Sequence, residues 1–363
     1  MRYFILIIFL SIIVLYFCLN KSQIEPLSYY RFDKEMTTNN NSSIELIQPF
    51  KSLFKKHKIT EAENFKNANI IFFTLLTDYI HMYPKLINVK KPLVIYSIRS
   101  IDLLANKATL HAILSNDKST HKKYTPSTYI LNDKSDFNKL INDFDDSKLY
   151  ILKKNLQRQK GCTITNNIEY VQTALQNKYV VCQELLQNPF LISGHKINLR
   201  LYMLIIAKKK AKFCLYNNGF MYYTPKKFVK DSIDKDRHIT SGYIDRSIYD
   251  KNPLTVKNLY NFLGIEKATK LKRNIAEMFK YVASSYEPVL LKNDSNKHLN
   301  FAIMGCDVAV DDKLGCKIME INKGPDLSYK DEKDKAVKMQ LIKDTMHKIG
   351  LIHSPNNNFI DLN

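Results

Sequence analysis

The sequence predicts a mixed α/β protein, and three observations predict it. Short apolar runs alternate with segments of helical periodicity along most of the chain. Lys196–Ala207 reads as one long strand with Lys196, Asn198 and Arg200 on a single face. Phe301–Asn322 reads as two apolar strands around a polar turn, with acids on otherwise buried ladders.

The elements follow in order. Tyr3–Leu19 is apolar except for Ser11, and as a helix it would run roughly 25 Å, at the short end of what spans a bilayer. A cleaved signal peptide and a core segment compete with an anchor there. No small-x-small site follows the run, and Asn20-Lys21 suits a signal anchor better. The expectation is a single-pass membrane protein with its anchor at 3–19 and a polar linker at 21–45. The charges flanking the run nearly balance, so its orientation stays open.

Residues 46–115 read as a small N-terminal α/β domain. Its pieces are a helical pattern over Ile44–Phe54, strands at Asn69–Leu76 and Leu93–Ile98, and a helix from Ser100 to about Leu114. Residues 116–186 form a central unit. Thr125-Pro126 breaks the chain, and strands follow at Ser127–Leu131, Leu149–Lys153 and Tyr179–Leu185, with helices at Asp136–Phe144 and Asn167–Gln176. Residues 187–352 form the C-terminal unit. After the long strand come Lys212–Tyr216 and a polar, irregular stretch over 224–253. Leu271, Ile275, Met278, Phe279 and Val282 then recur at helical spacing as a core stripe. The acidic hairpin and a helix over Lys330–Ile349 complete the pattern.

Composition narrows the function. The chain has 363 residues, 45% of them hydrophobic, enough for a substantial core. Its net charge of +20 favours acidic partners, although a generally cationic surface is the plainer reading. The basic residues are scattered and no nucleic-acid module is recognisable, so nucleic acid is not an expected partner. The six cysteines form no CxxC pair and no zinc spacing with histidine. They sit mostly in apolar runs and read as reduced thiols, which favours a domain facing the cytosol.

The chemistry-bearing residues fall into a few groups. Folding the hairpin about Asp312–Gly315 sets Asp307 roughly opposite Glu320, with Asn322 on the same face as Glu320. Two carboxylates and an amide oxygen suit a hard cation such as magnesium shared with substrate phosphates; acids merely facing solvent are the alternative. Lys153 ends a strand, and Lys160-Gly161 follows as a loop. Val180–Leu186 is an apolar strand end that could take a base. Arg200, within an apolar strand, needs either an anion or a structural ion pair.

Taken in order, these stretches resemble the tubulin-tyrosine ligase-like family of ATP-grasp amino-acid ligases. The resemblance is carried by Tyr150–Lys153, Val181–Pro189, Gly194–Tyr202, His238-Ile-Thr240 and Gly305-Cys-Asp307 through Glu320-Ile-Asn322-Lys-Gly-Pro325. Ile101–Leu104 and Tyr124–Tyr129 add to it, so it spans roughly residues 90 to 350. It implies an ATP-grasp fold in which the central and C-terminal units hold ATP between them. Lys153 would meet the α- and β-phosphates. Gln183, Glu184, Leu185 and Leu186 would contact adenine. Lys196 and Asn198 would sit near the ribose, and Arg200 would face the γ-phosphate or an acyl phosphate as the catalytic cation. Asp307, Glu320 and Asn322 would hold magnesium. The implied reaction joins a free amino acid to an acidic protein acceptor, a tubulin C-terminal tail by resemblance, at the expense of ATP. Four stretches depart from the family pattern, at Thr163, Asn198, Asn217-Asn218 and Ser241. They leave a non-catalytic relative, or a ligase with another acceptor, as alternatives.

Overall fold

The computed structural model describes residues 26–31, 42–73, 76–117, 120–155, 161–242, 244–294 and 297–362. The architecture is mixed α/β, as the alternating patterns predict. The N-terminal part comprises β1 (Ser28–Arg31), α1 (Ser42–Lys56), β2 (Thr60–Glu61), β3 (Ile70–Phe72), α2 (Leu76–Leu86) and β4 (Val94–Tyr96). Next come α3 (Asp102–Ala105), α4 (Lys107–Leu114), α5 (His121–Tyr124), β5 (Thr128–Ile130), α6 (Lys134–Asp143), β6 (Tyr150–Lys153), β7 (Cys162–Thr165), α7 (Ile168–Gln172) and β8 (Val181–Glu184). The remainder is β9 (Leu191–Ile192), β10 (His195–Ala207), β11 (Ala211–Tyr223), α8 (Val256–Asp294), β12 (Leu299–Val310), β13 (Cys316–Lys323), α9 (Glu332–Lys348) and β14 (Phe359–Asp361).

Two sheets result. The larger has ten strands in the order β14-β11-β10-β12-β4-β3-β1-β2, with β13 on β12 and β9 on β10. The smaller is antiparallel, β5-β8-β6-β7. β12 is the hub. One edge pairs with β10 along its length; the other pairs first with β4 and then with β13. The N-terminal strands therefore continue the sheet that carries the acidic hairpin.

Alternation along β10 sorts its residues between two cores. Leu199, Leu201, Met203 and Ile205 face Leu271, Ile275, Met278, Phe279 and Val282 of α8, so the helical stripe is core packing. Tyr202, Leu204 and Ile206 pack with Leu341, Ile342 and Met346 of α9 and with Phe50 and Phe54 of α1. Each fully buried Leu, Ile or Phe contributes roughly 1.5–3 kcal/mol by leaving water. Asn198 and Arg200 share the α9 side of β10, at its N-terminal end, ahead of that apolar block.

Several expectations are corrected. Ser28–Arg31, inside the stretch read as linker, is a strand paired on both sides, with β2 and β3. The helix read over 100–114 is two, because Asn106 leaves helical geometry and caps α4, accepting from Ala108 N and Thr109 N. β11 runs on past Tyr216 to Tyr223 through an irregularity opposite Leu201–Met203. The apolar run Tyr3–Leu19 lies outside the described residues. Among the described residues no helix is long and apolar enough to cross a membrane, and the single-pass membrane assignment is not upheld. α8 is broken by a kink at Gly264, whose φ of 73° is non-helical, and it carries charged residues on both sides of that kink.

Candidate functional site

The cleft is built where the smaller sheet meets the hairpin of the larger one. β12 and β13 place Asp307 directly opposite Glu320, and an extra residue, Met319, follows the register shift between Asp307 and Val308. Asn322 lies two residues on, on the same face, and its Nδ2 donates to Glu320 Oε1 at 3.0 Å. The other acid of the turn is structural: Asp311 Oδ1 accepts from Gly315 N at 2.7 Å and from Lys313 N at 2.9 Å.

Arg200 is the cross-strand neighbour of Asp307. The guanidinium grips that carboxylate with both arms, Nε to Oδ1 at 2.6 Å and Nη2 to Oδ2 at 3.0 Å. Its other contact is the Tyr222 ring, 5.1 Å from the guanidinium carbon. Two glycines make room for this arrangement. A Cβ on Gly219 would lie 2.2 Å from the Arg200 carbonyl oxygen. One on Gly305 would meet Pro325 at 2.9 Å and Arg200 Nη1 at 3.3 Å.

From the smaller sheet, Lys153 Nζ donates to Gln183 Oε1 at 2.7 Å, and Gln183 Nε2 donates to Thr128 Oγ1 at 2.8 Å. Gln183 thus fixes the lysine, and Thr128 fixes Gln183. Leu185 is buried against Leu149, Ile151, Cys162 and Ile164, while Glu184 pairs with Lys148 at 3.5 Å. Leu186 is half-buried at the strand end. A cavity of about 20 Å³, room for one water, lies among Lys107, Lys153, Gln183, Ile318 and Met319, where the two sheets meet. Lys160 lies outside the described residues.

Electrostatics tie the two sides together. Burial lowers the Lys153 ammonium, and Glu320 opposes that. Lys196, 3% exposed, is pushed down to about 8, first by burial and then by Lys153. Burial pushes Asp307 up to about 6; Arg200 pulls it back and Glu320 adds to the rise. Glu320 is held down to about 2: burial works against its ionised form, but the hydrogen bond with Asp307 and the charge of Lys153 outweigh it. The two facing carboxylates are pushed in opposite directions, so on acidification the first proton goes to Asp307. A cation between them would relieve their mutual repulsion.

Two buried polar atoms find no hydrogen-bond partner among the described residues of this region, Asn198 Oδ1 and His238 Nε2. Such atoms cost about 1–3 kcal/mol each unless something arrives to meet them. His238 is also kept neutral by burial and by the nearby Lys196. Sequence reasoning passed over Thr128 and Tyr222. The signal for Tyr222 was its place on β11 across from Asn198, beside Arg200.

The donor set fits magnesium. No group of three or more His, Cys, Asp or Glu side chains that could hold a metal is assembled among the described residues. The hairpin instead offers two carboxylates and the Asn322 amide, whose oxygen makes no hydrogen bond to a described residue. Magnesium commonly takes one or two carboxylates and fills its shell with water and substrate phosphate.

The family model described as "Tubulin-tyrosine ligase family" matches residues 95–358. A probable tubulin polyglutamylase TTLL9 from Rattus norvegicus is 27% identical over 178 residues, covering 47% of this chain and 38% of the relative. Tubulin polyglutamylase TTLL6 from Homo sapiens is 26% identical over 226 residues, covering 56% and 25%. A probable beta-tubulin polyglutamylase from Tetrahymena thermophila is 24% identical over 269 residues, covering 66% and 22%. The matched part of the chain therefore spans well under half the length of these relatives. The family match includes β6, β8, β10 and the whole acidic hairpin, and on that extent the chain belongs to the tubulin-tyrosine ligase family.

Proposed function

We propose that this chain is an ATP- and magnesium-dependent ligase that joins an amino acid to a carboxylate of a protein acceptor of tubulin type. The observation that carries the reading is the convergence of Lys153 and Arg200 on the acid pair Asp307–Glu320, with the buried Lys196 close to Lys153 and the partnerless Asn198 Oδ1 on the same strand. The two sheets would act as an ATP-grasp pair. Lys153, set by Gln183, would meet the inner phosphates, and the end of β8 from Gln183 to Leu186 would border the adenine. Lys196 and Asn198 would lie toward the ribose, and Asn198 Oδ1 would accept from a hydroxyl. Asp307, Glu320 and Asn322 would hold the metal, whose charge would offset the triphosphate. Arg200 would turn part of its guanidinium to the transferring phosphoryl group while Asp307 keeps it oriented.

In balance, an acceptor carboxylate oxygen attacks the γ-phosphorus and ADP leaves. The amine of the incoming amino acid then attacks the acyl carbon, phosphate leaves, and the amine nitrogen gives up a proton. The protein supplies positions and charges rather than a nucleophile. The names of the relatives make glutamate the first amino acid to try and tubulin the first acceptor. Incubation of the full chain with ATP, magnesium, labelled glutamate and tubulin should give labelled tubulin with release of ADP, both lost in Glu320→Gln.

A second reading is a non-catalytic relative that binds an acidic partner. It is favoured by Asn218, whose Oδ1 accepts from Lys257 N at the start of α8 rather than serving the cleft, and by the closed Arg200–Asp307 pair. Tubulin binding with no ADP release in the same incubation would select it.

A further inference from the structure

We infer that the end of the large sheet opposite the cleft is a docking surface for an acidic polypeptide segment. Topology assembles it. β1, β3, β4 and β12 run parallel and start at this end. The β10–β11 turn closes there too, because Ala207 pairs with both Ala211 and Asn300. Four lysine-bearing segments distant in sequence open onto it: Lys55–Lys58 ahead of β2, Lys90–Lys91 ahead of β4, Lys208–Lys210 in the turn, and Lys297 ahead of β12. None of the four contains a carboxylate, an arginine or an aromatic ring other than His57. Their lysines are exposed, Lys91 half so, and none forms an ion pair with a described residue. Some lysines elsewhere on the surface are compensated, as Lys226 is by Asp234 and Asp236, and Lys335 by Glu332, while others such as Lys267 and Lys270 are single and lie on a helix away from this end. At the neighbouring strand end Lys212 and Lys348 already share Asp361.

The dimensions choose the occupant. Five strand spacings separate β10 from β2, roughly 24 Å at 4.8 Å each. About seven extended residues cover that distance. A row of isolated ammonium groups along strand ends suits the carboxylates of an extended chain better than a planar surface. Nucleic-acid surfaces lean on arginine forks and stacking aromatics, which these four segments lack. Ala207 lies seven residues along β10 from Arg200, roughly 23 Å away, beyond the ~8 Å Debye length at physiological salt. The surface is therefore electrically separate from the cleft, and the inference does not rest on the ligase reading.

The test uses the full chain and a fluorescent poly-glutamate peptide, followed by anisotropy at low and physiological salt. Wild type should bind with salt-weakened affinity. The variant K90E/K91E/K208E/K209E/K210E should bind at least tenfold more weakly, with unchanged binding of a fluorescent ATP analogue. The milder K208Q/K209Q/K210Q, free of new repulsion, should lose affinity in the same direction. Peptide affinity unchanged in either variant overturns the inference. So does tighter binding of wild type to a DNA duplex, or to phosphatidylserine vesicles, than to the peptide. Loss of ATP-analogue binding by wild type would sink the ligase reading and leave this one standing.

Discussion

Lys196→Met should make the nucleotide-free protein more stable while weakening its hold on ATP. Lys196 is 3% exposed, and burial, then Lys153, pushes its ammonium down to about 8 from 10.5. At 1.36 kcal/mol per pH unit, this sets the charged lysine about 3 kcal/mol against the fold at neutral pH. The sign follows from the two values. The unfolded chain keeps its proton up to about 10.5, whereas the folded one releases it above about 8. The cost is thus fully present below pH 8 and is relieved as the pH rises toward 10.5. Methionine keeps the aliphatic length and removes the charge. In urea unfolding without nucleotide at pH 7, the variant should gain up to about 3 kcal/mol, and at pH 10 most of that advantage should be gone. Its affinity for an ATP analogue should fall at least tenfold, since a hydrogen bond to a charged group is worth about 1.5–3 kcal/mol. A variant less stable than wild type at pH 7, or an advantage that does not shrink at pH 10, would refute the reasoning.

Other consequences follow from particular contacts. Gly219→Ala pushes a methyl to within 2.2 Å of the Arg200 carbonyl oxygen, so β10 and β11 must separate locally. Urea unfolding should show a loss of about 3 kcal/mol, the upper end for overpacking. Asn106→Ala removes the cap of α4 and should cost about 1 kcal/mol in the same assay. Asp361 is held down to about 2 by Lys348, Lys212 and Cys214 against the upward pull of burial. Its pairs favour the fold above the ordinary carboxylate range and fade as the pH falls toward 2. Asp361→Asn should therefore cost less than about 1 kcal/mol at pH 7, the group being partly exposed, and progressively less in acid.

The hairpin was legible because side-chain period and turn chemistry fix its register locally. The Asp311 turn closes it, and Asp307 meets Glu320 rather than Met319 because Met319 is the extra residue at the register shift, a detail alternation alone does not give. The α8 stripe and the long strand β10 were legible for the same reason, being long and strongly patterned. β1 was not. It is four residues long, and its neighbours in the sheet come from residues 60–61 and 70–72 by parallel pairing. Nothing local in Ser28–Arg31 announces that. The break at Asn106 lay in a side chain that competes for backbone N–H groups, which apolar periodicity does not register. In the site, the residue types were readable but their partners were not. Arg200 could have found an anion or an ion pair, and only the β10–β12 register, joining positions 107 apart, gives it Asp307. Gln183 was read as an adenine contact, whereas its side chain holds Lys153 and leans on Thr128. Such chains of hydrogen bonds between non-local strands are invisible to patterning.

The central claim is that the acid pair of the hairpin and the buried lysines form one magnesium–nucleotide site. Its most direct test is equilibrium binding of a fluorescent ATP analogue to wild type and Glu320→Gln, each with and without magnesium. Wild type should bind at least tenfold more tightly with the metal, and Glu320→Gln should lose most of that difference while retaining the fold by circular dichroism. Equal binding by the two proteins under both conditions would contradict the account.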